Sequence, residues 1–330
     1  MEAGFLPRTR FQKLLDTLHQ AGYRCIAPQV RDGAIVYDAL TRAEDFPRGM
    51  RDRQSPGVYR LERIDSPRFF SWANGPQALK PFVFAPREPL WRSERTADAA
   101  IHYSEINPTE EPLAVIGVRA CDLAALRLQD RHFLEGPFAA PGMPRATQGF
   151  DLALHESDEG YLVQAGSDKG RALAAPWALA PATAAQQQQA DREVEDAARR
   201  QVRRLPARNL RDDLFANLKH PRWEEVAERC LSCGNCTAVC PTCFCHSGTD
   251  EAALDGRHSL HLRQWDSCFT QGHSYIHGIT IRADTRCWRF TPSHRHLISA
   301  SHHVPAPAMA APRRRADSSG IATISTRRAP

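Results

Sequence analysis

Residues 230–241 read CLSCGNCTAVCP, so that Cys230, Cys233, Cys236 and Cys240 follow a C-x-x-C-x-x-C-x-x-x-C-P spacing. Two residues between successive cysteines let three thiolates on one tight loop converge on neighbouring irons of a cubane, and Gly234 lets the backbone come close. Pro241 then turns the chain after the fourth thiolate. Thiolates are soft ligands that iron–sulfur clusters and zinc both accept. Structural zinc sites use two C-x-x-C pairs with a longer stretch between them than Cys233 to Cys240 provides, so the spacing favours a 4Fe-4S cluster. No second run of this kind follows. Of the later cysteines, Cys243, Cys245 and Cys268 are candidates for an additional ligand, and Cys287 lies in an arginine-rich tail.

Working outward, the chain has 330 residues, 42% hydrophobic and 25% charged, which is a globular composition with room for one large or two modest domains. Collagen, a disordered chain and a disulfide miniprotein are excluded. No stretch approaches the roughly 18 to 20 apolar residues of a membrane span, and Glu2 and Pro7 break the layout of an export signal. A cytoplasmic protein is expected, where ten cysteines point to metal or redox chemistry rather than to disulfides. The net charge of +5 is local. Residues 286–330 hold eight arginines against one acid, Asp317, which leaves the first 285 residues at −2. Arg313 to Arg315 bring no aromatic stacking platform with them, so no nucleic-acid partner is expected.

The N-terminal half reads as α/β. Phe11, Leu14, Leu15 and Leu18 recur at helical spacing and stop at Ala21-Gly22. Cys25 to Val30 and Ala34 to Tyr37, joined by Arg31-Asp32-Gly33, form a hairpin signal. Val58 to Arg63 and Phe82 to Phe84 are strand candidates. Leu113 to Val118 is a continuous apolar run that leads through Cys121 to Asp122, an acceptable N-cap for a helix ending near Arg131. Phe150 to Leu154 and Tyr161 to Val163 suggest a second hairpin. From Ala172 the composition shifts to alanine, proline and glutamine, including Gln186 to Gln189, and reads as a linker before a solvated helix. Leu210, Leu214, Phe215 and Leu218 mark another helix. A further one, opened by Pro221, presents Trp223, Val226, Ala227 and Cys230 on one face. The expected division is an α/β N-terminal domain over 1–185, a linker and solvated helix over 186–204, a mainly helical ferredoxin-like 4Fe-4S domain over 205–283 that lacks a second cluster run, and a disordered basic tail over 284–330.

The segment CLSCGNCTAVCPTCFC (230–245), with Trp265-Asp266-Ser267-Cys268-Phe269 and Ser274-Tyr275-Ile276-His277-Gly278, resembles the iron–sulfur electron-transfer subunits typified by those of anaerobic sulfite reductase and by the sulfhydrogenase beta subunit. Asp32 to Asp38, Gly75-Pro76-Gln77, Gly117 to Asp122 and Gly149 to Leu154 are similar to that family as well. The resemblance runs from about Phe11 to about Arg282. It implies a relay of electrons from a soluble donor or flavin subunit to a catalytic hydrogenase or reductase subunit, through two ferredoxin-type cubanes. Two departures stand out. The family's cysteine-rich insert after the helix of Cys121 is absent, since Phe133 to Gly149 contains no cysteine, so any metal site that Cys121 shares with that insert is lost, and Cys121 stands beside Cys243, Cys245 and Cys268 only as a possible additional ligand. The second ferredoxin run is replaced by a tail with one acid, which has the character of a GC-rich gene read out of frame. A frameshift near Gly278 to Arg286 is therefore expected.

Other readings remain beside this one: a zinc-binding interaction module, a thiol-redox enzyme using Cys243 and Cys245 or Cys230 and Cys233, and a truncated product without activity. Cys25 is expected in a core. His273 and His277 read as packed or surface histidines. Gly166 to Gly170 matches no nucleotide-binding fingerprint. Gln77 and Lys80 look like family signature positions to which the residues alone assign no role.

Overall fold

The computed structural model describes residues 3–55, 58–73, 75, 77, 79–106, 111–135, 150–200, 210–217, 220–222, 225, 234–243, 245–267, 275–276, 279–280 and 321–328. The elements, in chain order, begin with β1 (Gly4–Pro7), α1 (Phe11–Gln20), β2 (Arg24–Arg31), β3 (Ala34–Ala39), β4 (Met50–Ser55) and β5 (Val58–Arg63). Next come α2 (Lys80–Val83), β6 (Arg87–Arg95), β7 (Ile101–Glu105), β8 (Pro112–Val118) and α3 (Ala120–Glu135). They are followed by β9 (Leu152–Glu156), β10 (Gly160–Ala165), α4 (Asp168–Ala174), β11 (Ala180–Pro181), α5 (Ala184–Arg199) and α6 (Leu210–Ala216). The last are α7 (Asn235–Val239), β12 (His246–Ala252), β13 (His258–Trp265), β14 (Tyr275–Ile276), β15 (Ile279–Thr280) and β16 (Ile321–Arg328).

These elements form two compact units, one of residues 1–79, 110–205 and 307–330, the other of 80–109 and 206–306. The first is built on an eight-stranded sheet in the order β11-β1-β10-β9-β16-β8-β2-β3. Only β2 and β8 pair in parallel; every other pairing is antiparallel. The β8 strand is apolar throughout because Leu113 to Val118 are all buried, which is what a strand covered on both faces requires. The α1 helix buries Phe11, Leu14, Leu15 and Leu18, as its 3.6-residue stripe predicts. Phe11, Phe46, Phe69 and Tyr161 pack ring against ring with centroids 4.7 to 5.4 Å apart, and burying each such side chain contributes about 1.5–3 kcal/mol. Between β2 and β3, Asp32 (φ 47°) and Gly33 (φ 72°) both take positive φ, the pair of conformations a two-residue primed turn needs.

Several expectations need correcting. The glutamines 186–189 lie inside α5, whose start is fixed by a capping box in which the Thr183 side chain accepts from Gln186 N and the Gln186 side chain accepts from Thr183 N. Asp122 is not an N-cap, since α3 begins at Ala120 and places it in the first turn. The expected Phe82 to Phe84 strand is the short helix α2, where Pro81 sits in a first turn whose backbone N–H groups have no helical partner in any case. Most of the helix expected to open at Pro221 lies outside the described residues.

The ferredoxin-like domain over 205–283 was expected to be mainly helical, and among the described residues of the second unit, which contains nearly all of it, strands dominate instead. Its sheet runs β12-β13-β6-β7, all antiparallel. The described helices there are α2, α6 and α7, of four, seven and five residues. Leu262 is buried on this sheet while Leu90, Ile101, Tyr103 and Leu260 are exposed. The tail also departs from expectation at one place. Residues 281–320 lie outside the description, but β16 is a strand rather than irregular chain, and Ile321, Thr323, Ile324 and Thr326 are the β-branched residues that favour extended backbone.

Candidate iron–sulfur site

The cysteine run enters the described structure at Gly234, whose φ of 71° lies in the left-handed region open to glycine without strain. From there α7 takes a single short helical stretch. Thr237 N and Ala238 N donate to Gly234 O at 3.0 and 3.1 Å, and Thr237 Oγ1 donates to the same carbonyl at 2.6 Å. Cys236 is in the first turn. Cys240 caps the helix in extended conformation (φ −70°, ψ 116°), its N–H donating to Cys236 O at 3.1 Å. A turn closed by Cys243 N donating to Cys240 O at 3.1 Å follows, and Cys245 leads directly into β12. Asp266 N donates to Cys245 O at 3.0 Å, which fixes this end of the run to the end of β13.

None of the four cysteines Cys236, Cys240, Cys243 and Cys245 is in a disulfide. Cys236 is exposed, Cys240 and Cys245 are half-buried and Cys243 is buried. Thr242 Oγ1 lies 3.0 Å from Cys240 Sγ, and toward a thiolate the hydroxyl is the donor. Around the run Phe84 stacks on Trp265 with centroids 6.2 Å apart, and Trp265 Nε1 donates to Phe84 O at 3.1 Å. The Arg263 guanidinium lies 4.8 Å from the centre of the Phe84 ring and is paired with Glu88.

Lys80 is the side chain the sequence did not explain. It is 2% exposed, its Nζ donates to Thr237 O inside α7, and that nitrogen lies 4.3 Å from the centre of the Trp265 ring. Burial lowers its pKa, while the Cys243, Cys240 and Cys245 thiols act in the opposite direction. Its place between Leu79 and Pro81-Phe82-Val83-Phe84 was the available signal, a single cation in an otherwise apolar segment.

The other candidates fall outside the described residues or in the first unit. Cys230, Cys233, Cys268 and Cys287, with His273 and His277, lie outside the described residues. Cys121 belongs to the first unit. Although part of the residue reaches the surface, burial of its thiol pushes the pKa up to about 11, with a smaller push from Asp122. Cys25 is a core residue whose thiol burial pushes up to about 12. Among the described residues no three ligating groups are close enough to hold a single metal ion. The donors that are described suit a larger, sulfur-bound group: soft thiols on a tight loop, backbone freed at Gly234, and a buried ammonium beside them.

Residues 229–304 match the family model of the 4Fe-4S dicluster domain. The chain is an iron–sulfur protein. This iron–sulfur protein is also 26% identical over 265 residues to the sulfhydrogenase 2 subunit beta of Pyrococcus furiosus, an alignment covering 71% of this chain and 77% of that one. No solved structure shows a significant match to it. The dicluster match spans the whole cysteine run and contains eight cysteines, of which Cys230, Cys233, Cys236 and Cys240 alone keep ferredoxin spacing.

Proposed function

We propose that this iron–sulfur protein is the electron-transfer subunit of a cytoplasmic multisubunit oxidoreductase of the hydrogenase or sulfite/sulfur reductase type. Its partners would be a flavin or other donor subunit on one side and the catalytic subunit on the other, with no nucleic acid and no membrane span of its own. Among the described residues no helix is long and apolar enough to cross a membrane, and a chain of ten cysteines whose six described members form no disulfide suits a reducing compartment. The observation that carries the reading is the ferredoxin-spaced run lying inside the dicluster match.

In this reading Cys230, Cys233, Cys236 and Cys240 hold one cubane, and Cys243, Cys245 and Cys268 are the remaining thiols available for further ligation. Bound there, a 4Fe-4S cluster accepts and releases one electron at a time. The chain's own residues decide how well. Gly234 gives the loop its close approach, and Thr242 donates toward the Cys240 sulfur. No substrate chemistry is assigned to this chain. The test is iron and acid-labile sulfide content of anaerobically purified protein, followed by electron paramagnetic resonance after dithionite reduction. About four irons and four sulfides per cluster and a reduced-cluster signal are expected. Colourless, folded protein containing zinc and no iron overturns the reading in favour of a zinc module.

A further inference from the structure

We propose that Lys80 is a positioning residue for the cluster, a buried positive charge that raises the cluster's reduction potential. The inference rests on the assignment of Cys240 as a ligand. Three observations on this one side chain carry it. A lysine 2% exposed is held away from water for its full length, and lysines are buried this deeply only when something answers the charge. Its Nζ donates to the carbonyl of Thr237, which sits between Cys236 and Cys240 on α7, so the ammonium is anchored to the ligand loop itself. The groups its charge acts on are the thiols of Cys243, Cys240 and Cys245, and the face of Trp265 at 4.3 Å completes the cage.

The physical consequence has a definite sign. When dithionite supplies one electron, the cluster gains one negative charge and loses no atoms. A fixed positive charge nearby, in surroundings of low dielectric constant, stabilises the reduced form more than the oxidised one. Replacing the charge by an apolar side chain therefore makes the potential more negative. Exposed lysines would be screened and do little, so burial is what gives this one leverage.

The experiment is a potentiometric titration of the anaerobic full-length chain, poised with dithionite and mediators and read by the amplitude of the reduced-cluster resonance. Lys80→Met keeps the length and removes the charge, and Lys80→Gln also keeps a donor for Thr237 O. At a fixed potential the reduced-to-oxidised ratio is expected to fall roughly tenfold, about 59 mV for a one-electron couple, in whichever neutral variants load iron, with Lys80→Arg close to the original protein. An unchanged midpoint in a neutral variant with full iron and sulfide overturns the proposal. So does a Lys80→Arg midpoint shifted as far as the neutral variants, since charge would then not be the cause. Absence of iron from the unaltered chain is a different result: it removes the cluster reading itself.

Discussion

Glu156 has no exposed surface, so its charge must be answered inside the protein. It ends β9, whose Leu152, Leu154 and Glu156 share the buried face, and it puts a carboxylate where the alternation calls for an apolar side chain. Two backbone N–H groups and one guanidinium donate to it. Phe69 N and Phe70 N donate to its two oxygens at 2.8 and 2.9 Å, Arg8 Nη1 pairs with it at 2.8 Å, and the same nitrogen donates to Tyr161 Oη at 2.9 Å. The Arg8 guanidinium lies over Phe69 and Tyr161 at 5.4 and 5.1 Å. Removing one member leaves the others buried and unpaired, so Glu156→Ala is expected to cost about 3–5 kcal/mol. The contrasting case is Glu44, paired with Arg42 while both are about two-thirds exposed, where an exposed pair contributes about 0–1 kcal/mol. Urea midpoints of the two alanine variants, followed by hydrogen exchange in β9 and β10, decide the matter. Equal midpoints would remove the buried network from the account of this unit's stability.

At the scale of elements, what could be read from the sequence was what closes locally. The α1 stripe, the β2–β3 and β9–β10 hairpins and the passage from β8 into α3 each carry their pattern within about 20 residues, and the ferredoxin spacing is likewise complete in eleven, Cys230 to Cys240. The second unit's sheet was not legible. Its strands carry Arg87, Arg92, Arg95, His258 and Arg263 with few buried positions, and β6 pairs with a β13 far along the chain, so neither alternation nor a turn marks the partnership. Lys80 escaped for a related reason, since only tertiary packing turns an ordinary lysine into a caged one. The α5 helix shows how a composition reading can hide a local signal: the glutamine run suggested a linker, yet Thr183 and Gln186 form a T-x-x-Q box at its start. That helix also carries the first unit's clearest pH dependence. Burial alone would raise the Glu193 carboxyl, but hydrogen bonds from His155, Arg68 and Gln189 outweigh it and bring the pKa down from 4.5 to about 2. Because the folded value is the lower one, the contribution is complete above pH 4.5 and is lost as pH falls toward 2. Amide exchange in α5 should therefore accelerate across that window in the original protein and show a much flatter profile in Glu193→Gln. Superimposable profiles would detach the helix from this carboxylate.

On the scale of the whole molecule, the arrangement that most depends on distant sequence is the position of β16. It lies between β8 and β9, pairing with Pro112 to Val118 on one side and Leu152 to His155 on the other, with a register shift between Thr323 and Ile324. Without it, no other strand joins β11-β1-β10-β9 to β8-β2-β3 in the described sheet. A strand inserted there satisfies N–H and C=O groups on two neighbours at once, each bond contributing about 0.5–1.5 kcal/mol net. Its removal leaves two facing edges, and an uncovered edge is a template for pairing with other chains. Deleting residues 319–330 is therefore expected to accelerate amide exchange along β8 and β9 and to produce self-associated species, visible by light scattering. A peptide with the sequence IATISTRR, residues 321–328, should restore protection in trans by adding the missing strand. A shortened protein that self-associates no more than the full chain, with β8 as protected as before, would refute this role for β16, because the basic tail would then contribute nothing to the sheet and the two halves would have to be joined by β8 and β9 alone.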